Sequence, residues 1–354
     1  MNRGRPLRRI LSWLSILLLT VSVAAETHPV ALFYMTDRPD SVRSFLAHAK
    51  KIGILSPAWY SADGNGLVSG GPNPKVLDVA HKQGLPVMPI IAGTGKDALH
   101  ALLTSAPAQN AMIGALVRES KRNGYVGMQI DFEDISWTDR DALSAVVKQA
   151  AAAMHQEELQ LSIATVPNAP GFPGKGGFAK WIYQDWRGAY DLKTIAQSVD
   201  LICLMTYDQH TRWTAPGPVA GWDWTVENLD FALKDVPKEK LSLGIPLYGY
   251  HWFAGAPVER DKKETPNISA ESISTPDALL LAGSYKGVPQ WDSADHSAWF
   301  FIYRDQMREW VFYTDAHAFQ DRYKLAKDKS LQGVCSWVLG EEDPGIWDAL
   351  PDRE

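Results

Sequence analysis

The fold class predicted for this chain is α/β: a barrel of eight parallel strands (a TIM barrel) with a small subdomain inserted after the seventh strand. Three observations predict it. Eight short apolar runs alternate with helix-like segments, the runs are almost continuously apolar, and the rhythm breaks once, late in the chain. Strands whose two faces are both covered read this way, because helices pack on each side of a parallel sheet. A doubly wound open sheet is the alternative, but no glycine-rich nucleotide loop follows the first run.

In chain order the runs are Val30–Met35, Ile52–Tyr60, Pro86–Ala92, Tyr125–Glu133, Leu159–Val166, Leu201–Asp208, Leu241–Tyr250 and Gly333–Leu339. Each is rich in β-forming residues and bounded by Gly, Pro or polar residues, as strands are. Helix-like segments lie between them, among them Asp40–Lys51, Ala106–Asn123, Asp139–Glu157 and Val226–Leu233. Residues 251–312 break the spacing with a charged stretch (Glu259–Glu264), prolines and aromatics. A structureless loop of that length is uncommon, so a small subdomain at the mouth is expected there. Its Trp291, Trp299, Phe300 and Tyr303 either wall a cleft or form the insert's own core.

Ahead of the first strand, Arg3, Arg5, Arg8 and Arg9 precede the apolar stretch Ile10 to Val23, then Ala24, Ala25 and the polar Glu26. This is the pattern of a secretory signal over residues 1–25, too short for a typical membrane span. The expected mature chain, 26–354, is therefore secreted or periplasmic, with no stable membrane association after cleavage; a retained anchor is the alternative. Only Cys203 and Cys335 are present. Both fall in predicted buried strands. Two strands with one between them lie about 9–10 Å apart in a sheet, which predicts two free thiols rather than a disulfide.

The 354 residues carry 45% hydrophobic residues and a net charge of −6. Such a composition supports a large core and argues against nucleic acid, whose binding draws on phosphate neutralisation. The nine histidines are scattered and suggest no metal site. Fourteen tryptophans are many for this length, and flat apolar rings with a polar edge suit sugar surfaces as well as cores.

The predicted fourth strand ends Gln129-Ile130-Asp131-Phe132-Glu133. Side chains at i and i+2 share a face of a strand, roughly 6–7 Å apart, so Asp131 and Glu133 point the same way with Gln129 behind them. Barrel enzymes keep catalytic groups at the C-terminal ends of strands. The sixth strand ends Met205-Thr206-Tyr207-Asp208, the second Trp59-Tyr60, the seventh Tyr248-Gly249-Tyr250, and the eighth carries Trp337. Aromatic stacking faces and three carboxylates converging on one mouth point to a glycan site.

These residues resemble glycoside hydrolase family 18, the chitinase-type barrels. The family's fourth-strand pattern D-x-x-D-x-D-x-E falls here on Val126, Gln129, Asp131 and Glu133; Met205-x-Tyr207-Asp208 and the last-strand Trp337 also match. The phrases Ser56-Pro57-Ala58-Trp59-Tyr60 and Ile245-Pro246-Leu247-Tyr248-Gly249-Tyr250 look closest to bacterial spore-cortex-lytic N-acetylglucosaminidases. The resemblance implies hydrolysis of β-linked N-acetylglucosaminyl glycans, peptidoglycan or chitin-type oligomers, without a cofactor. Glu133 is the implied acid. Asp131 orients the substrate's 2-acetamido group, whose carbonyl attacks in place of a protein nucleophile. Tyr207 and Asp208 hold that group, with Trp337 as the floor of the pocket. Met205, Tyr34, Trp59, Tyr60, Tyr248 and Gln129 complete the expected substrate contacts. Val126 and Gln129 depart from the acidic pattern. Val126 is expected to pack; Gln129 removes a like charge from behind Asp131 and can still donate a hydrogen bond to it. A non-catalytic carbohydrate-binding barrel is the rival reading.

Overall fold

The computed structural model describes Met1, residues 28–254 and residues 268–353. The proposed signal segment and the charged stretch Glu259–Glu264 lie outside the described residues.

Eight parallel strands close into the predicted barrel: β1 (Val30–Met35), β2 (Ile54–Ala62), β4 (Ile90–Gly93), β5 (Gly127–Asp131), β6 (Gln160–Thr165), β7 (Leu201–Leu204), β8 (Leu241–Pro246) and β14 (Gly333–Trp337). Pairing of β1 with both β14 and β2 closes the ring, and β3 (Val68–Gly70) is a short antiparallel addition to β2. Alternate residues of each strand separate two apolar regions. Phe33, Leu55, Ile130, Ile163 and Leu243 face the surrounding helices, whereas Leu32, Tyr34, Ile90, Ala164 and Cys203 fill the barrel. The helices are set by local signals. In Ala106–Asn123, Ser105 accepts from Ala108 N at 3.4 Å, Pro107 sits in the first turn, and Gly124 ends the helix at φ 64°. That stop delivers the chain directly into β5.

The predicted seventh run is split. Pro246 ends β8, and the Leu247 amide turns to donate to Trp337 O at 2.6 Å. The chain then enters β9 (Tyr248–Ala254), so the insert begins three residues before the predicted position 251. It continues through β10 (Ile268–Ser274), the helix Thr275–Tyr285, β11 (Gln290–Asp292), β12 (Ser297–Arg304) and β13 (Met307–Tyr313). These strands form one antiparallel sheet in the order β10-β9-β13-β12-β11. Ala278 and Ala282 of the helix pack on Phe300, Ile302 and Val311. Phe300 is thus insert core, with Trp291 packed beside it, while Tyr303 is exposed and Trp299 lies on the opposite sheet face against Phe301, Trp310 and Phe312.

Cys203 and Cys335 are joined in a disulfide, with Cα atoms 6.0 Å apart, which overturns the expectation of two free thiols. β8 does lie between β7 and β14. The expected separation assumed a flat sheet. In a closed barrel, inward-facing side chains from alternate strands share a layer and converge on the axis. Between the two cysteines β8 presents Gly244 with inward parity, so no side chain stands in the way.

Candidate active site

The carboxylate row forms as the strand geometry requires. β5 ends at Asp131, and the chain continues through Phe132 to Glu133. The Tyr190 hydroxyl, buried, donates to Phe132 O at 2.7 Å and fixes the backbone between the two acids. Glu133 opens into a cleft of about 640 Å³ and is reached by solvent through it. Asp131 stands behind it, with Oδ1 buried and without a partner. Burial raises the pKa of Glu133 above the glutamate range, and the charges of Asp131, Asp208 and Asp134 raise it further. Burial also raises Asp131. A carboxyl held protonated beside a second carboxyl is poised to give up a proton.

The end of β7 supplies the opposite side. Thr206 Oγ1 donates to Gly244 O at 2.7 Å, pinning the strand end to β8. Met205, Tyr207 and Asp208 then line the cleft. Asp208 adopts the left-handed backbone conformation, φ 61°, which non-glycine residues hold at a cost of about 1–3 kcal/mol and often at functional sites. Its Oδ1 accepts a 2.6 Å hydrogen bond from Tyr248 OH. Burial raises its pKa, and bonds from Tyr248 and Tyr250 pull it back down. The Tyr207 and Tyr248 rings meet edge-on with centroids 6.4 Å apart. Tyr34 and Trp337 pack together at the barrel's upper end, 5.3 Å between centroids, within the same interior cluster as Met205 and Tyr207.

Gln129 is placed differently from expectation. Fully buried, it donates through Nε2 to Ser162 Oγ at 2.8 Å and to Cys203 Sγ at 3.3 Å, and its Oε1 has no partner. Its donors are thus spent on β6 and the disulfide rather than on Asp131, and it supports the row from below. Val126 lies just before β5, tied to its neighbours by backbone bonds to Val87 and Gln160, and its side chain is half-buried. Trp59 and Tyr60 do not reach the cleft. Trp59 shares the outward parity of Leu55, and a register shift between Ala58 and Tyr60 in the β2–β4 pairing turns Tyr60 outward as well. Tyr60 OH sits 2.9 Å from Tyr125 OH, and Trp59 Nε1 donates to Asp37 at 3.2 Å.

Much of the cleft wall comes from residues the sequence reading did not single out. The long connection after β6 contributes Phe178, Trp181, Trp186 and Arg187, and the segment after β7 contributes Arg212 and Trp213. The insert adds Phe253 and Ala270 to Ser272, beside Tyr250, whose place at a strand end the sequence had marked. The dense aromatic spacing of Phe178, Trp181 and Trp186 just beyond a strand end was the available signal. Among the described residues no cluster of His, Cys, Asp or Glu suited to a metal ion is found.

A closed barrel with an inserted sheet, and an acid pair at the mouth of an aromatic cleft, define a glycosidase. The family model for glycosyl hydrolases family 18 matches residues 39–342, and the chain belongs to that family. Among its relatives, an uncharacterized glycosylase of Bacillus subtilis, YvbX, is 24% identical over 334 residues, 92% of each chain. The cortical fragment-lytic enzyme of the same organism is 26% identical over 90% of this chain and 73% of its own. The fold is shared with a solved chitinase from Chromobacterium violaceum (TM-score 0.78, 24% identity, 91% of this chain and 97% of that one). The Bacillus megaterium spore cortex-lytic enzyme SleL gives a TM-score of 0.77 at 23% identity, covering 92% and 74%.

Proposed function

We propose that this glycosidase cleaves β-linked N-acetylglucosaminyl glycans, of the peptidoglycan or chitin type, by substrate-assisted catalysis with retention. The observation that carries the reading is the placement of the acid pair: Glu133 opens into the cleft, with Asp131 behind it, its Oδ1 buried and unpartnered. Glu133 gives its proton to the glycosidic oxygen as the bond to the anomeric carbon breaks. The carbonyl oxygen of the substrate's 2-acetamido group forms the new bond to that carbon from the opposite face. Asp131 orients the acetamido group and balances the charge that develops on it. Tyr207 and Asp208 hold the group from the β7 side, with Trp337 beneath. Water then opens the cyclic intermediate, with the Glu133 carboxylate accepting its proton, and the anomeric configuration is retained.

Matched aryl glycosides of N-acetylglucosamine, glucosamine and glucose test this reading. Cleavage confined to the first, with a β product, is expected. Comparable turnover of the glucose compound, or an inverted product, refutes substrate assistance.

We further propose that the chain is exported. The support is the signal-like N-terminal sequence together with the Cys203–Cys335 disulfide, a bond that persists in oxidising compartments. Protease accessibility of the protein in intact cells of its source, set against a cytoplasmic marker, decides the point.

A further inference from the structure

Arg187 lines the cleft as a cation without a carboxylate partner among the described residues. It closes the widened helical turn Tyr183–Arg187, beside Trp186, and is half-buried as it lines the cleft that Glu133 opens into. Its guanidinium makes no ion pair or side-chain hydrogen bond with any described residue. The two carboxylates close to it in sequence are already taken: Asp185 pairs with Lys96, and Asp191 with Arg140 at 3.4 Å. Burial alone acts on its pKa, lowering it, with no carboxylate close enough to offset that. A desolvated guanidinium left unpaired is costly, and fixed-fork donors of this kind suit a carboxylate in two-point contact. Arg212, stacked over Trp213 at 4.8 Å, adds a second positive charge to the same cleft. The acids that share the cleft with Glu133 are Asp208, held by its tyrosines, and Glu271, which faces His251 at 3.6 Å on the far wall.

We propose that Arg187 is a specificity-determining residue that binds a carboxylate carried by the substrate, so that the cleft favours acidic N-acetylglucosaminyl glycans over neutral ones. The inference rests on the hydrolase reading above and names the substrate feature that this site selects. In a glycan strand whose alternate sugars bear lactyl ethers, that carboxylate belongs to the lactyl group or to a peptide attached to it. Neutral chitin-type chains offer Arg187 only hydroxyl and amide groups.

The experiment compares three ligands: peptide-free peptidoglycan strands with free lactyl carboxylates, the same strands amidated with methylamine, and chitooligosaccharides. Binding is measured calorimetrically in a Glu133→Gln background and cleavage in the otherwise native protein. The expected ratio of affinities, acidic over amidated, is roughly 10- to 100-fold, the usual effect of one charge-assisted contact. It collapses toward unity in Arg187→Gln and is partly kept in Arg187→Lys. The preference also weakens as salt is raised. A ratio near one in the native cleft, or a preference undiminished in a folded Arg187→Gln protein, overturns the proposal. Should Arg187→Gln fail to fold, the ratio in Arg187→Lys and its salt dependence decide. Absence of any cleavage with the binding ratio intact would sink the hydrolase reading and leave the carboxylate site standing.

Discussion

Tyr248 OH holds Asp208 Oδ1 at 2.6 Å, which joins the first residue of the inserted wall to a carboxylate at the end of a different barrel strand. The insert and the acid cluster are therefore one mechanical unit.

Tyr248→Phe removes this bond and leaves the ring in place. Because hydrogen bonds to a charged group contribute about 1.5–3 kcal/mol, kcat/KM is expected to fall about tenfold or more, with Tm lowered by a few degrees. A variant with native kinetics would show that Asp208 needs no such anchor.

Glu133→Gln keeps the shape of the side chain but has no proton to give. Hydrolysis is expected to fall by roughly 10²–10⁴-fold while oligosaccharide binding persists, measured by product analysis and calorimetry. Undiminished turnover would remove Glu133 from the acid role.

The same substitution should stabilise the fold, and the sign follows from the raised pKa. A carboxyl that holds its proton more tightly folded than unfolded loses stability as pH climbs from the ordinary glutamate range through its raised value. Glu133→Gln is therefore expected to raise Tm more at pH 8 than at pH 4. Equal shifts at both values would count against the raised pKa.

Asp131→Asn removes the negative charge that helps hold the proton on Glu133. Titration of Glu133, followed by carboxyl NMR, should then move to lower pH, with the alkaline limb of any residual activity moving the same way. A shift to higher pH would mean that the two groups do not repel.

The disulfide spans 132 residues. Replacing both cysteines with serine is expected to lower unfolding free energy by about 4–5 kcal/mol, read by thermal or denaturant melting, if loop closure dominates.

The row of acids and its neighbours on β7 were legible because their placement depends on local geometry alone. Asp131, Glu133, Met205, Tyr207 and Asp208 sit at ends of apolar runs, where strand parity and barrel topology agree. Trp59 was misjudged because strand parity with outward-facing Leu55 was not applied to it, and Tyr60 because a bulge after Ala58 changes the side of the sheet it faces, which nothing in Ser56 to Tyr60 announces. The cysteine pair was misread for a global reason: curvature, a property of the closed ring, shortens distances that spacing on a flat sheet overstates. The wall of Phe178, Trp181, Trp186 and Arg187 comes from a connection without strand periodicity, so its approach to Glu133 appears only once the chain is folded.

Cys203 and Cys335 also turn everything between them into a covalent ring that takes in β8, the whole inserted sheet and the last helix before β14. A single protease cut anywhere in that ring leaves both fragments tethered at the base of the cleft. Tyr207 and Asp208 on one side of the bond, and Trp337 on the other, stay anchored within a few residues of it. The most elaborated third of the molecule can thus be nicked in a protease-rich setting without the chain coming apart, and only reduction would release the pieces.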